Sequence, residues 1–324
     1  MMNSIQMKSI NNLLFHCGNL VKRDRALILC DEETRPIAEA FVDVARKENQ
    51  SIKLIEIPSL SNHGAEPPAY AADAMQVSTL IFSLCRYSLA HSKARVKAAA
   101  NGARFLSLPL YDWKLLEDPS LHIDFKAQAG LVHKFSQAFT KGKRVHVTTE
   151  KGTDITLNIT GRVGNYCPGF VERAGDLGSP PDIEANISPI EESSEGIVII
   201  DGSITHPNFG LLTQSIELKV SKGRIIEFCG IDKEYISLLN AMFGPLDSPR
   251  RVLAECGVGL NPAAKLTGTM LTDEGALGCV HFGFGSNHTM GGKNQVDFHL
   301  DFVFHAATLK VNSQMLLKAG IPQL

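Results

Sequence analysis

Ala26-Leu27-Ile28-Leu29-Cys30-Asp31-Glu32-Glu33-Thr34 decides the fold of the first half of the chain. A continuous apolar run of this length, with no polar alternation, reads as a strand covered on both faces. An amphipathic stretch follows over residues 36–48, then a second strand over 52–57. The same alternation predicts strands at 78–84 and 104–108 and helices at 90–101 and 128–139. Short buried strands separated by helices form a parallel, doubly wound sheet. The turn after the first strand is Asp31-Glu32-Glu33-Thr34, not Gly-x-Gly-x-x-Gly. It sets acids where a dinucleotide pyrophosphate would sit. The expectation is a Rossmann-like α/β domain over residues 1–140 with no nicotinamide or flavin site.

From Arg144 the periodicity changes to two. Val145-His146-Val147-Thr148 and residues 154–159 alternate across Glu150-Lys151-Gly152-Thr153, which predicts a hairpin. Further strands are expected at 197–201, 216–220, 223–228, 252–255, 278–282 and 297–304. One helix, 232–243, stops at Gly244-Pro245. Residues 141–324 thus read as a β-rich α+β domain.

Composition narrows the function classes. The chain has 324 residues, 44% hydrophobic and 20% charged, with a net charge of −2. That is the balance of a globular protein with a substantial core, and it gives no electrostatic footprint for nucleic acid. No apolar run reaches the ~20 residues of a membrane helix, and Asn3, Ser4, Gln6, Lys8, Asn11 and Asn12 interrupt the N-terminus where a signal peptide would be apolar. A cytoplasmic location is expected. Seven cysteines, with no Cys-x-x-Cys, read as reduced thiols.

The chemistry-bearing residues crowd into the last third: Glu255, Glu274, His281, His299 and Asp301, set among glycines and apolar runs. Imidazole and carboxylate donors grouped this way suit a divalent metal. In Asp297-Phe298-His299-Leu300-Asp301-Phe302 the alternation puts Asp297, His299 and Asp301 on one strand face, and Phe298, Leu300 and Phe302 on the other. A sixth candidate, Glu184, stands in the Pro-bracketed segment Pro180-Pro181-Asp182-Ile183-Glu184-Ala185-Asn186-Ile187-Ser188-Pro189.

Taken in order, these segments resemble the aminopeptidase T / aminopeptidase S family of metallopeptidases, in particular its short leucyl aminopeptidase-like members. The acidic loop is matched by Pro181 to Pro189, the Glu-x-Gly-x-Gly-x-Asn-Pro stretch by Glu255 to Pro262, and the Asp-Glu and Gly-x-x-His pieces by Asp273-Glu274 and Gly278 to His281. The Gly-Gly-x-Asn turn and His-x-Asp pair are matched by Gly291 to Asn294 and His299 to Asp301. The resemblance implies two divalent ions (zinc, cobalt or manganese) on Glu184, Glu255, Glu274, His281, His299 and Asp301. It implies a homodimer, and a metal-activated water that releases N-terminal residues from small peptides or amides, with Glu184 or Glu255 moving the proton. Two positions depart from the family pattern. Ile183 replaces the loop glycine, and His288 stands where a tyrosine would stabilise the tetrahedral intermediate. The connection from 281 to 299 also lacks the family's long insertion.

A related scaffold opens hydroxypyridine rings as a mononuclear iron(II) enzyme, 2,5-dihydroxypyridine dioxygenase. On that reading His299 and Asp301 with a further histidine form the facial triad. Those enzymes carry a histidine at the position of Glu255, so Glu255 favours the two-metal hydrolase. A specialised biosynthetic metalloenzyme and a non-catalytic dimeric binding protein are the other readings.

Overall fold

A computed structural model of the chain describes residues 2–230 and 232–324. Backbone contacts divide it into two compact units, Met1–Lys126 with Gly169–Pro181, and Ala127–Pro168 with Asp182–Leu324. The division precedes the change in periodicity near residue 140. Most of helix α5 (Phe125–Lys141) groups with the antiparallel sheets, and residues 169–181 return to the first unit to extend its sheet.

The first unit is a parallel sheet. Strands β1 (Ala26–Cys30), β2 (Ile52–Glu56), β3 (Leu80–Leu84) and β4 (Arg104–Ser107) lie in the order β2-β1-β3-β4, and β8 (Leu177–Gly178) is added beside β4. Every residue of β1 and β3 is buried, as a strand covered on both faces requires. Helix α2 (Arg35–Lys47) buries Ile37, Ala38, Phe41, Val44 and Ala45, a stripe at helical spacing, and the Phe41 ring meets Phe82. Helix α4 (Lys93–Ala100) starts on Ser92, whose hydroxyl accepts from Arg95 N. Two helices lie outside the expected pattern. In α1 (Ser4–Asn11) Asn3 and Gln6 form a capping box, and α3 (Ala69–Val77) is an alanine-rich run with little amphipathic contrast. In the turn after β1 Glu32 and Glu33 are exposed, while Asp31 is a buried brace that accepts from Thr34 N and Oγ1 through one oxygen and from Arg86 N through the other.

The second unit holds two antiparallel sheets. One joins β5 (Arg144–Thr148), β6 (Asp154–Asn158), β10 (Glu195–Ile200), β13 (Ile216–Ser221), β14 (Arg224–Cys229), β18 (Thr308–Val311), β19 (Gln314–Lys318) and β20 (Ile321–Pro322). The other joins β7 (Asn165–Cys167), β9 (Glu184–Ile187), β11 (Ser203–Ile204), β12 (Gly210–Leu211), β15 (Leu253–Gly259), β16 (Val280–Gly285) and β17 (His299–Phe304), in the order β12-β11-β17-β16-β15-β9-β7. Helix α6 (Lys233–Phe243) is capped by the Asp232 carboxylate and ends at Gly244, whose φ of 71° is open to glycine. Its Phe243 packs among Phe284, Phe298 and Phe302. Each such ring contributes about 1.5–3 kcal/mol by leaving water. These rings hold one face of the seven-stranded sheet rigid, and the opposite face carries the polar side chains.

Among the described residues no helix is long and apolar enough to cross a membrane, and the seven cysteines are free thiols.

Candidate metal centre

Register explains why one face of this sheet collects ligand-type side chains. Directly opposed residues of antiparallel strands share a face. Glu184 opposes Gly259, His281 opposes Gly257, Asp301 and Glu255 both oppose Gly283, and His299 opposes Gly285. Each ligand-type side chain therefore has glycine as its neighbour across the ladder. A Cβ on Gly257 would stand inside the His281 imidazole, and one on Gly283 would meet His299 Nε2 at 2.5 Å and Asp301 Oδ1 at 2.7 Å. The glycines supply the floor on which the rings and carboxylates lie.

Two overlapping groups result, Glu184/Glu255/His281 and Glu255/His299/Asp301, with the donor atoms of each inside 4.8 Å. His281 Nε2 is 3.0 Å from Glu184 Oε2 and 3.8 Å from Glu255 Oε1. His299 Nε2 is 3.1 Å from Glu255 Oε2 and 3.3 Å from Asp301 Oδ1. The two oxygens of Glu255 thus serve one group each. Burial alone would raise the Glu255 pKa; the two imidazoles more than reverse that and hold the carboxyl well below the usual carboxylate range. For His281, burial is outweighed by Glu184 and then Glu255, and for His299 by Asp301 and then Glu255, so both pKa values are pushed up.

These residues fit a metal ion. Glu184 Oε2 and Asp301 Oδ1 are buried and make no hydrogen bond, although each lies 3.0–3.3 Å from an imidazole nitrogen. Two donors bound to one ion at about 2.1 Å and at right angles stand ~3 Å apart. Short approach without hydrogen-bond geometry is what a shared cation explains. The orientation of His299 agrees: its Nδ1 lies 2.9 Å from Ser286 O, a carbonyl that can only accept, so Nδ1 carries a proton and Nε2 is the nitrogen left facing Glu255 and Asp301.

Of the remaining candidates, Glu274 ends the short helix α7 (Met270–Glu274), and its Oε1 is buried without a partner. Burial, and then the charge of Asp301, push its pKa well up. Its neighbour Asp273 anchors the helix by accepting from Ser203 Oγ, Thr267 N and Gly268 N. His288 belongs to neither group; it is exposed in a single turn, residues 288–290.

Sequence reasoning passed over three residues here. Asp182 is buried beside the cluster, and its pKa is pushed well up by burial and then by Glu184. Asn186 Nδ2 donates to Glu184 Oε1 at 2.7 Å, and Asn165 Nδ2 to Asn186 Oδ1 at 2.6 Å, a relay that fixes Glu184. The signal was present: Asp182, Glu184 and Asn186 alternate with Ile183, Ala185 and Ile187, a strand pattern inside what looked like a loop.

The fold and this donor set define a two-unit α/β protein with a sheet face whose side chains could hold a metal ion. Residues 10–323 match the family model of 2,5-dihydroxypyridine 5,6-dioxygenase, NicX, and the chain belongs to that family. Among solved structures it is similar to the 2,5-dihydroxypyridine dioxygenase of Pseudomonas putida KT2440, at 19% identity and a TM-score of 0.85, over 99% of this chain and 98% of that one. It is also similar to AmpT of Thermus thermophilus, at 14% identity and a TM-score of 0.72, over 99% of each chain. At these identities the two likenesses describe the fold. No curated protein sequence matches.

The family overturns the aminopeptidase reading, and with it the two-metal hydrolase. The physical reason lies in the motifs. Glu-x-Gly-x-Gly and His-x-Asp encode strands that carry ligand-type side chains opposite glycines. They do not encode which reaction the metal serves.

Proposed function

We propose that this chain is an iron(II)-dependent dioxygenase that opens an electron-rich, hydroxylated nitrogen-containing ring. The observation that carries the reading is the match of residues 10–323 to the dioxygenase family. The Glu255/His299/Asp301 group supports it, since three donors on one sheet face leave the other side of an ion open for substrate and oxygen.

On this reading Glu255, His299 and Asp301 hold the ion. Two carboxylates and one imidazole, in place of the two-histidine, one-carboxylate triad, match its charge of two. Iron, when bound, lets ground-state dioxygen react with the ring, a step that a closed-shell organic molecule cannot take unaided. The chain's own residues do the rest. His299 is kept in its Nδ1–H form by Ser286 O. Glu184, steadied by Asn186 and Asn165 and 3.0 Å from His281, takes up the proton that a ring hydroxyl gives up on binding. The Phe-rich reverse face fixes strand positions, so that the donors are held before any ligand arrives.

The test is oxygen uptake by protein loaded anaerobically with iron(II) and supplied with 2,5-dihydroxypyridine. One oxygen consumed per ring lost is expected. No uptake with this or any other dihydroxypyridine, in protein that retains iron, refutes the reading.

A further inference from the structure

The turn between β16 and β17 is fastened more heavily than an exposed loop needs. Asn287, fully buried, is its hub: its Oδ1 accepts from Asn294 N at 2.8 Å, its backbone N donates to Asn294 O at 3.0 Å, and its carbonyl accepts from Gly292 N at 2.9 Å. Its Nδ2 donates to Glu191 Oε1 at 3.1 Å. The same Glu191 oxygen accepts from Lys293 N at 2.6 Å, and its other oxygen pairs with Arg162 Nη2 at 2.6 Å. Arg162 Nη1 donates to Gly291 O. Asn294 Nδ2 closes the far side onto Gly285 O and Pro249 O. A Cβ on Gly292 would overlap the Asn287 amide, so this glycine makes room for the hub.

The consequence follows from peptide planarity. The carbonyl of Ser286 and the N–H of Asn287 belong to one rigid plane and point in opposite directions. The N–H is held on Asn294 O, and the carbonyl accepts from His299 Nδ1 at 2.9 Å. Fixing one end of the plane aims the other. We propose that Asn287, supported by Glu191, is a positioning residue that fixes the Nδ1–H···Ser286 O hydrogen bond and so the ring orientation of His299. The claim about cation affinity rests on His299 being an iron ligand; the claim about the hydrogen bond does not.

The test uses the full chain with Asn287→Ala, Glu191→Gln and the double variant. The first readout is the His299 Nδ1–H signal in metal-free protein, which reports its hydrogen bond to Ser286 O whatever the charge of the ring. Wild type is expected to show one exchange-protected Nδ1–H, and Asn287→Ala a shifted and exchange-broadened one. The second is titration with iron(II) under anaerobic conditions, where Asn287→Ala is expected to weaken binding by about 10–100-fold and Glu191→Gln by less. In the double variant the losses do not add, because both act through one peptide plane. Should Asn287→Ala not fold, Glu191→Gln, which keeps an acceptor at the rim of the turn, carries the same two readouts. A wild-type Nδ1–H signal in the variants, or affinity lost with that signal unchanged, overturns the proposal. Wild type that shows the protected Nδ1–H and binds no iron overturns the iron reading and leaves the positioning of His299 standing.

Discussion

Gly257→Ala puts the glycine floor to a direct test. The added methyl would have three atoms of the His281 ring within 3.0 Å, the farthest being Cδ2 at 2.8 Å. Unstrained side chains essentially never approach so closely, so either the ring turns away or β15 shifts. Turning the ring breaks the 3.0 Å approach of Nε2 to Glu184. Shifting the strand disturbs the pairs Gly257–His281 and Gly257–Asn186. Overpacking of this kind costs about 1–3 kcal/mol, and each kcal/mol lowers Tm by roughly 2–4 °C for a domain of this size. His281 Nε2 stands 3.8 Å from Glu255, so its displacement disturbs the neighbour of a proposed ligand, which costs about 10–100-fold in metal affinity. Gly130→Ala is the matched control. It lies inside helix α5 with nothing within 4 Å of the new methyl, so it should gain about 0.5–1 kcal/mol. Thermal unfolding of the metal-free variants and iron(II) titration measure both effects. Gly257→Ala with wild-type Tm and wild-type affinity would refute the account of the site's floor.

Other consequences can be checked separately. His299→Ala should lose the iron held with Glu255 and Asp301 while the circular dichroism spectrum stays that of the wild type; full iron content would remove His299 from the ligand set. Arg104→Met should destabilise the first unit by about 3–5 kcal/mol, because it strands the buried Asp24 carboxylate that Arg104 Nη2 meets at 2.6 Å; denaturant unfolding gives the number. Burial would raise the Asp24 pKa, but Arg104, Val21 N and Thr79 outweigh it and hold the pKa down. A depressed carboxyl stabilises above its unfolded pKa of about 3.9 and loses that contribution as pH falls through the folded value. Asp24→Asn should therefore flatten the decline in stability below about pH 4, and an unchanged slope would refute it.

Much of this architecture was legible in the chain. Ala26–Cys30 is a strand because five apolar residues in succession have no other use at that length. His299 and Asp301 share a face because strands alternate, and the Phe302 side of the same alternation carries the packing. Helices α1 and α3 were not legible, since a capping box and an alanine run leave little amphipathic trace. The ligand pieces could be read, but the pairing of each with a glycine could not, because register is a long-range property. Asn287 was invisible for the same reason: its partner Glu191 is remote in sequence. The reaction was misread because Glu255 was weighed as a marker of chemistry, when a carboxylate on this sheet face fixes no reaction by itself.

The donors come from four strands, β9, β15, β16 and β17, that lie side by side but are strung between Glu184 and Asp301 along the chain. No short peptide contains a nascent site, so a cation has nothing to grip until most of the second unit has assembled. On the proposed reading metal capture is then a late event, unlike the small zinc modules in which the ion drives folding. The metal-free protein must stand alone with several carboxylates crowded on one face, and a chelator should empty the site and leave the sheets in place. Folding comes first, and the ion second.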